Sequence, residues 1–271
     1  MIIGKFLRIS CKYTLVPILA RIIQNRNFNI AIVPVERLGH LAKNTHLFFI
    51  RKRIGSLPNL KYVLIAPSLK SNKIANVSLL RMFVEYSEGI KNVDFICSTF
   101  IYLFFTFFLY EFKKFKIIYE FPMESKEIEF SLGVKTIDFS EKQKKYGEKL
   151  FKRIPIPQDK KIVTIFARDT SYLNNRFPNE DWDYHFYRDA DIETYVDSIK
   201  YLISENYLVI RIGSEYSKKL NFSDVNYFEY SLSEFKSDFM DLYLINKSSF
   251  VVGTTSGAID ISTIFNVPFV G

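Results

Sequence analysis

Cysteine is nearly absent: Cys11 and Cys97 are the two in 271 residues, and they form no CxxC pair. That leaves no disulfide framework and makes a reducing, cytoplasmic setting the default. Histidine is almost as scarce, with His40, His46 and His185 alone, which argues against a histidine-rich metal centre. No apolar run reaches the ~20 residues needed to span a bilayer. Pro17 interrupts the first such stretch, and Ile22-Ile23-Gln24-Asn25 offers no small-residue cleavage site for a secretory signal. A Walker P-loop, a GxGxxG turn and a GxSxG serine elbow are all missing, as are internal repeats and low-complexity stretches.

What is present is the composition of a folded protein, 48% hydrophobic and 24% charged, and long enough for one large or two ordinary domains. Charge is unevenly spread: residues 1–155 carry a net +14 and the rest −6. That division argues for two units with different partners. The basic half suits an anionic membrane surface or an anionic acceptor, or else is a lysine-rich solvated face. Residues 1–27 place Lys5, Arg8, Lys12, Arg21 and Arg26 among isoleucines and leucines, as in a basic amphipathic helix on a membrane or an ordinary packed helix. Residues 95–110 (FICSTFIYLFFTFFLY) are uncharged and are followed by Lys113, Lys114 and Lys116. We read them as a strand entering a buried helix in preference to a membrane-dipping one. No basic stripe interleaved with aromatics points to nucleic acid.

Strand–helix alternation sets the fold class as α/β with two doubly wound, Rossmann-like domains. Apolar runs at 29–34, 62–66, 162–167, 207–212 and 250–253 read as parallel strands covered on both faces. Helices are expected over 72–86, 140–153, 192–205, 232–245 and 257–265. Ser140 and Gln143 have capping-box spacing, and Pro155 and Pro157 forbid continuation of that helix. The domain boundary is therefore placed between residues 28–153 and 154–271. A last strand begins at Val267, and a parallel strand normally feeds a further crossover helix, so the fold is expected to continue beyond Gly271.

The strongest local signal for chemistry is Gly253-Thr254-Thr255-Ser256-Gly257, where an apolar strand meets a hydroxyl-rich turn and then a helix. Its N–H groups and hydroxyls suit a diphosphate; the structural alternative is a tight turn with a capping hydroxyl. Arg168 ends one neighbouring strand and Arg211 interrupts another, so each guanidinium needs a ligand phosphate or an internal carboxylate. Asp169, Tyr172, His185 and Arg188 lie in the long loop after Arg168, where tyrosines could stack on a base or sugar and His185 could bond a hydroxyl or phosphate. In the first half, Glu36-Arg37-Leu38-Gly39-His40 follows the first strand; His40 suits a general base with Glu36 to orient it, or is a structural histidine near a helix start. Asp181-Trp182-Asp183 matches a metal–diphosphate triplet but follows no apolar strand, and is set aside.

The ordered series RLGHLAKN, VTIFARDTSYL, YHFYRDADIETY, YLVIRIGS, DLYL and FVVGTTSGAIDISTIFNVPFVG resembles a sequence-defined family of bacterial glycosyltransferases over most of residues 30–271. The resemblance implies a GT-B-like enzyme of surface-polysaccharide or glycoconjugate assembly. Its nucleotide-sugar donor would be held by the second domain, its glycan or lipid-linked acceptor by the first, with reaction in the cleft between them. Matched residues are Arg37, Gly39, His40, Arg168, Asp169, Tyr172, His185, Arg188, Arg211 and Gly253 to Gly257. Members continue past the point where this chain stops. No cofactor or metal is expected, because arginines and helix N–H groups would neutralise the diphosphate. The expected location is cytoplasmic, with peripheral contact on the inner membrane face. The rival reading is a non-catalytic module that binds nucleotide or sugar phosphate. Donor sugar, acceptor, stereochemistry and oligomeric state stay open.

Overall fold

The computed structural model describes residues 10–122, 124, 125, 129, 136–182, 187–214 and 218–271. The chain forms two compact units, Met1–Thr136 and Ile137–Gly271.

In the first unit, helix α1 (Val16–Asn25) is preceded without a break by a π-helical turn, Cys11–Leu15. Pro17 therefore does not end the helix. It stands in the first turn of α1, and the widened turn before it absorbs the hydrogen bond that proline cannot donate. Strands β1 (Phe28–Ile32), β2 (Lys61–Ala66) and β3 (Val93–Cys97) pair in parallel in that order. β2 is buried from Tyr62 to Ala66, as its unbroken apolar run requires of a central strand. The outer edge of β1 is closed by residues 117–119: the Ile30 N–H donates to the Ile117 carbonyl and the Tyr119 N–H to the Ile30 carbonyl, both at 2.8 Å.

A π-helical turn, His40–Asn44, leads into α2 (Thr45–Arg53). Helix α3 (Val77–Ser87) starts later than the sequence suggests, because the buried Asn76 side chain accepts the Leu79 N–H at 2.8 Å and fixes the cap there. The 95–110 stretch is β3 followed by α4 (Thr99–Phe107) and the short α5 (Leu109–Lys114). It is buried on one side only. Phe108 and Phe112 join Val16, Ala20 and Ile117 in a core, while other large side chains of the same helices face outward.

The second unit opens with α6 (Glu141–Phe151), whose capping box forms as expected: the Gln143 N–H donates to Ser140 Oγ at 3.3 Å and the Ser140 N–H to Gln143 Oε1 at 2.8 Å. Strands β4 (Lys161–Phe166), β5 (Tyr207–Arg211), β6 (Tyr227–Glu229), β7 (Phe250–Gly253) and β8 (Phe269–Val270) are all parallel. Their order is β6-β5-β4-β7-β8. The chain thus steps outward in one direction from β4 and then reverses to β7, which makes the β4/β7 junction a topological switch point. The remaining helices are α7 (Ser171–Arg176), α8 (Val196–Ser204), α9 (Asp238–Lys247) and α10 (Gly257–Phe265).

Alternate residues of β4 point to opposite faces. Val163 and Ile165 pack in one core with Ile199 and Leu202 of α8, whereas Thr164 bonds Ser248 at the end of α9 at 3.2 Å. Helices therefore cover both faces. The division between units falls ahead of α6, where the sequence reading placed it after that helix. α6 presses Gly147 against the Tyr243 ring of α9, and Glu148 accepts the Tyr243 hydroxyl at 3.0 Å and Lys247 Nζ at 3.1 Å. Just before α6, Phe139 stacks on Phe265 with ring centroids 5.3 Å apart.

β6 was not legible as a strand because Tyr227-Phe228-Glu229 is too short to stand out from polar surroundings. Likewise α9 begins at Asp238, not Leu232, with the Ser237 hydroxyl accepting the Met240 N–H at 3.3 Å; Tyr230–Leu232 is a separate 3-10 turn.

Candidate functional site

The switch point is built by the ends of β4 and β7. Phe166 and Gly253 are register partners. A Cβ on Gly253 would lie 2.1 Å from the Phe166 carbonyl oxygen, so only glycine permits this approach. Just beyond this pair, the Arg168 N–H donates to Thr254 Oγ1 at 3.1 Å, tying the two strand ends together. The turn then enters α10, with Ser256 as N-cap accepting the Ala258 N–H at 3.2 Å. Thr255 is exposed, and Thr254, Ser256 and Gly257 are half-buried. The amino end of α10 brings the positive pole of a nine-residue helix to this edge of the sheet.

Arg168 is buried, with its guanidinium ion-paired to Asp189, and its carbonyl accepts the Ala190 N–H at 2.9 Å. The long loop after β4 thus returns to its own starting point. Sequence reading offers Asp189 as an alternative to Asp191 for the cap of the next helix and does not place it among the site residues; Asp191 is the cap. Asp169 is used locally: its Oδ1 accepts the Ser171 N–H at 3.0 Å and the Ser171 hydroxyl, and so starts α7. Tyr172 is half-buried with the Arg176 guanidinium 5.8 Å from its ring centre. Arg188 lies 5.7 Å from the ring centre of the exposed Tyr187. His185 lies outside the described residues, as does Asp183 of the set-aside triplet. Trp182 of that triplet is a buried anchor whose Nε1–H donates to the Phe177 carbonyl at 3.3 Å.

Arg211 is 1% exposed and has found the internal carboxylate that the sequence left as one of its two options. Its Nη1 donates to Glu229 Oε2 at 3.0 Å and to the Lys218 carbonyl at 2.7 Å. Glu229 also accepts the Tyr227 hydroxyl at 2.9 Å and the Ser231 hydroxyl at 2.7 Å. Burial, and then the Glu229 carboxylate, push the Tyr227 hydroxyl well above its ordinary pKa and keep it a donor. This network ties β5 to β6 and the segment after β6. There a cleft of about 440 Å³ opens, lined in part by Ser231, Leu232, Lys236 and Asp241. Lys236 pairs with Asp241 at 3.1 Å, while burial pushes the Asp241 carboxyl up. None of these residues was legible as a site, because β6 itself was not.

In the first unit, Glu36, Arg37, Gly39 and His40 are all half-buried on the turn between β1 and α2. Gly39 precedes the π-helical turn, and the Leu41 N–H donates to the Arg37 carbonyl at 2.9 Å. Burial first, then the charges of Arg37 and Lys43, lower the His40 pKa below its ordinary 6.5. The imidazole is thus neutral, and able to accept a proton, near pH 7. Glu36 acts on Tyr102 of α4, whose hydroxyl is raised by burial and then by that carboxylate.

Among the described residues no group of three His, Cys, Asp or Glu side chains is placed to hold a metal ion. No protein-family model matches the chain. No curated protein matches it. Solved structures do. An ADP-heptose lipopolysaccharide heptosyltransferase II from E. coli superposes with a TM-score of 0.50 at 11% identity, over 89% of this chain and 83% of that one. A family 9 glycosyl transferase from Veillonella parvula does so with a TM-score of 0.51 at 7% identity, over 89% and 79%. At such identities the likeness speaks for the fold, and the chain has the two Rossmann-like α/β domains of the GT-B fold that these glycosyltransferases share.

Proposed function

We propose that the chain is a glycosyltransferase that moves a sugar from a nucleotide-sugar donor to an acceptor hydroxyl, in the assembly of a bacterial surface polysaccharide or glycoconjugate. The observation that carries this reading is the Arg168–Thr254 junction at the switch point of the second sheet, beside the amino end of α10. Open α/β sheets bind ligands in that place. The donor diphosphate would sit there and share the Arg168 guanidinium with Asp189. The N–H groups of the Thr254–Gly257 turn and the pole of α10 would stabilise the charge that develops on the leaving group.

The nucleoside would extend toward the cleft beyond β6, two strands or about 10 Å away. In this reading Arg211 shapes that wall through Glu229 and does not touch the donor. His40 is the proposed base on the acceptor hydroxyl. Charge neutralisation by Arg168 and helix N–H groups needs no metal, and the names of the two similar enzymes, both sugar transferases, support the class.

A thermal-shift screen against ADP, UDP, GDP, CMP and dTDP with their sugars tests the donor site. Stabilisation by one nucleotide family that disappears in Arg168→Ala supports it. No stabilisation by any of them would move the reading to a module without donor chemistry.

A further inference from the structure

The first unit carries an apolar surface that its own fold does not cover. Leu15, at the end of the π-helical turn, and Ile18 and Ile22 of α1 repeat at helical spacing and are 40–57% exposed, while Val16 and Ala20 on the other side are fully buried. On α4, Phe100, Leu103 and Phe107 repeat in the same way and are 46–80% exposed, while Phe104 and Phe105 of the same helix pack inward with Phe108 just after it and Phe112 of α5. The two helices share one core through those inward residues, so the outward stripes belong to neighbouring elements. Tyr13 and Tyr110, at 68% and 72% exposed, add aromatic groups with a polar tip.

Cations flank these stripes in the sequence. Residues 10–26 hold Lys12, Arg21 and Arg26 and no carboxylate. Lys113 and Lys114 stand in the last turn of α5, and Lys116 follows it. Two carboxylates are nearby: Glu111 between Lys12 and Lys114, and Glu120 on Lys113. Six cations against two carboxylates leave the surface strongly positive.

We infer that this α1/α4–α5 face of the first unit docks on an anionic lipid bilayer, its aromatic and aliphatic stripes entering the interface and its cations meeting phosphate headgroups. Among the described residues no helix is long and apolar enough to cross a membrane, which fits helices lying in the interface plane. Lysine and arginine stems can cover apolar surface while their heads reach the headgroups. Charge also decides against a second copy of this chain as the occupant, since two such faces would oppose cation to cation. The inference stands whether or not the chain transfers sugars, because it rests on residues of the first unit alone.

The test is flotation of the full chain with vesicles of phosphatidylcholine alone and of phosphatidylcholine with about a quarter phosphatidylglycerol. The chain should float with the anionic vesicles and not with the neutral ones. Replacing Arg21 by Gln should weaken binding about fivefold, in proportion to the loss of one surface cation, and more salt should weaken it further. The double variant Phe100→Ser, Phe107→Ser should lose binding at least tenfold while keeping wild-type circular dichroism and nucleotide-dependent thermal shift. Ile18→Ser provides an independent check on α1, with a loss of several-fold. Equal flotation with both vesicle types, undiminished binding in the phenylalanine double variant, or a dimer in sedimentation that the same variant abolishes would each overturn the inference.

Discussion

The main-chain N–H of Arg168 donates to the hydroxyl of Thr254 at 3.1 Å, joining two residues 86 positions apart in the chain. They meet because β4 and β7 are adjacent strands from opposite wings of the sheet, the place where open α/β sheets bind their ligands. The proposed donor chemistry is concentrated at that junction.

Arg168→Ala should lower kcat by about 10²- to 10³-fold, as expected when one preorganised charge facing the leaving group is removed. Asp189 is partly exposed and can rehydrate, so the variant should keep its fold. Steady-state kinetics together with a melting curve separate the two effects. Near wild-type turnover would remove Arg168 from the mechanism.

Gly253→Ala should destabilise the second unit by about 3 kcal/mol, because the added methyl would lie 2.1 Å from the Phe166 carbonyl oxygen, a main-chain atom of the paired strand that must shift to admit it. The lost stability should be visible in urea titration. Gly147→Ala, whose methyl meets the Tyr243 ring at 2.3 Å, should show a comparable loss without changing nucleotide-induced stabilisation.

Glu229→Ala should cost about 3–5 kcal/mol, since it strands the nearly inaccessible Arg211 guanidinium and removes the acceptor of the Tyr227 and Ser231 hydroxyls. Combining Arg211→Met with Glu229→Leu should recover much of that stability. If the double variant also kept turnover, Arg211 would be confirmed as a structural group.

The pH profile tests His40. Its pKa is lowered on folding, so between that lower value and the ordinary 6.5 the unfolded chain binds more protons than the native one. Stability contributed by the neutral imidazole is therefore present above pH 6.5 and falls as pH drops through the folded pKa. Turnover should fall over the same window, and His40→Gln should abolish that acidic limb along with most of the rate. A limb that persists in His40→Gln would assign the base to another residue.

Turnover should survive EDTA within about twofold, because the proposed neutralisation of the diphosphate comes from a guanidinium and helix N–H groups. A large loss, restored by a divalent cation, would require a metal in the donor site.

Sequence alone determined the α/β class, every described parallel strand except β6, the Ser140–Gln143 capping box and the hydroxyl-rich turn after β7. Each depends on short-range physics: unbroken apolar runs, a cap spaced to its own helix, and small residues where a strand enters a helix. It also stated the choice facing Arg211, since a guanidinium inside an apolar strand needs an anion.

Which anion that was, only the tertiary structure decided. Glu229 stands on an edge strand three residues long, placed beside β5 by sheet pairing and not by any local signal. The same holds for Asp189, which reaches Arg168 because a loop folds back on itself, and for α6, whose cap is local but whose allegiance to the second unit depends on Gly147 fitting the Tyr243 ring. Hydropathy likewise showed that residues 95–110 avoid water but not from which side. Phe104 and Phe105 of α4 were turned toward the core shared with α1, and Phe100 and Phe107 were left outside, because a helix packed on one neighbour can bury only the face it turns toward it.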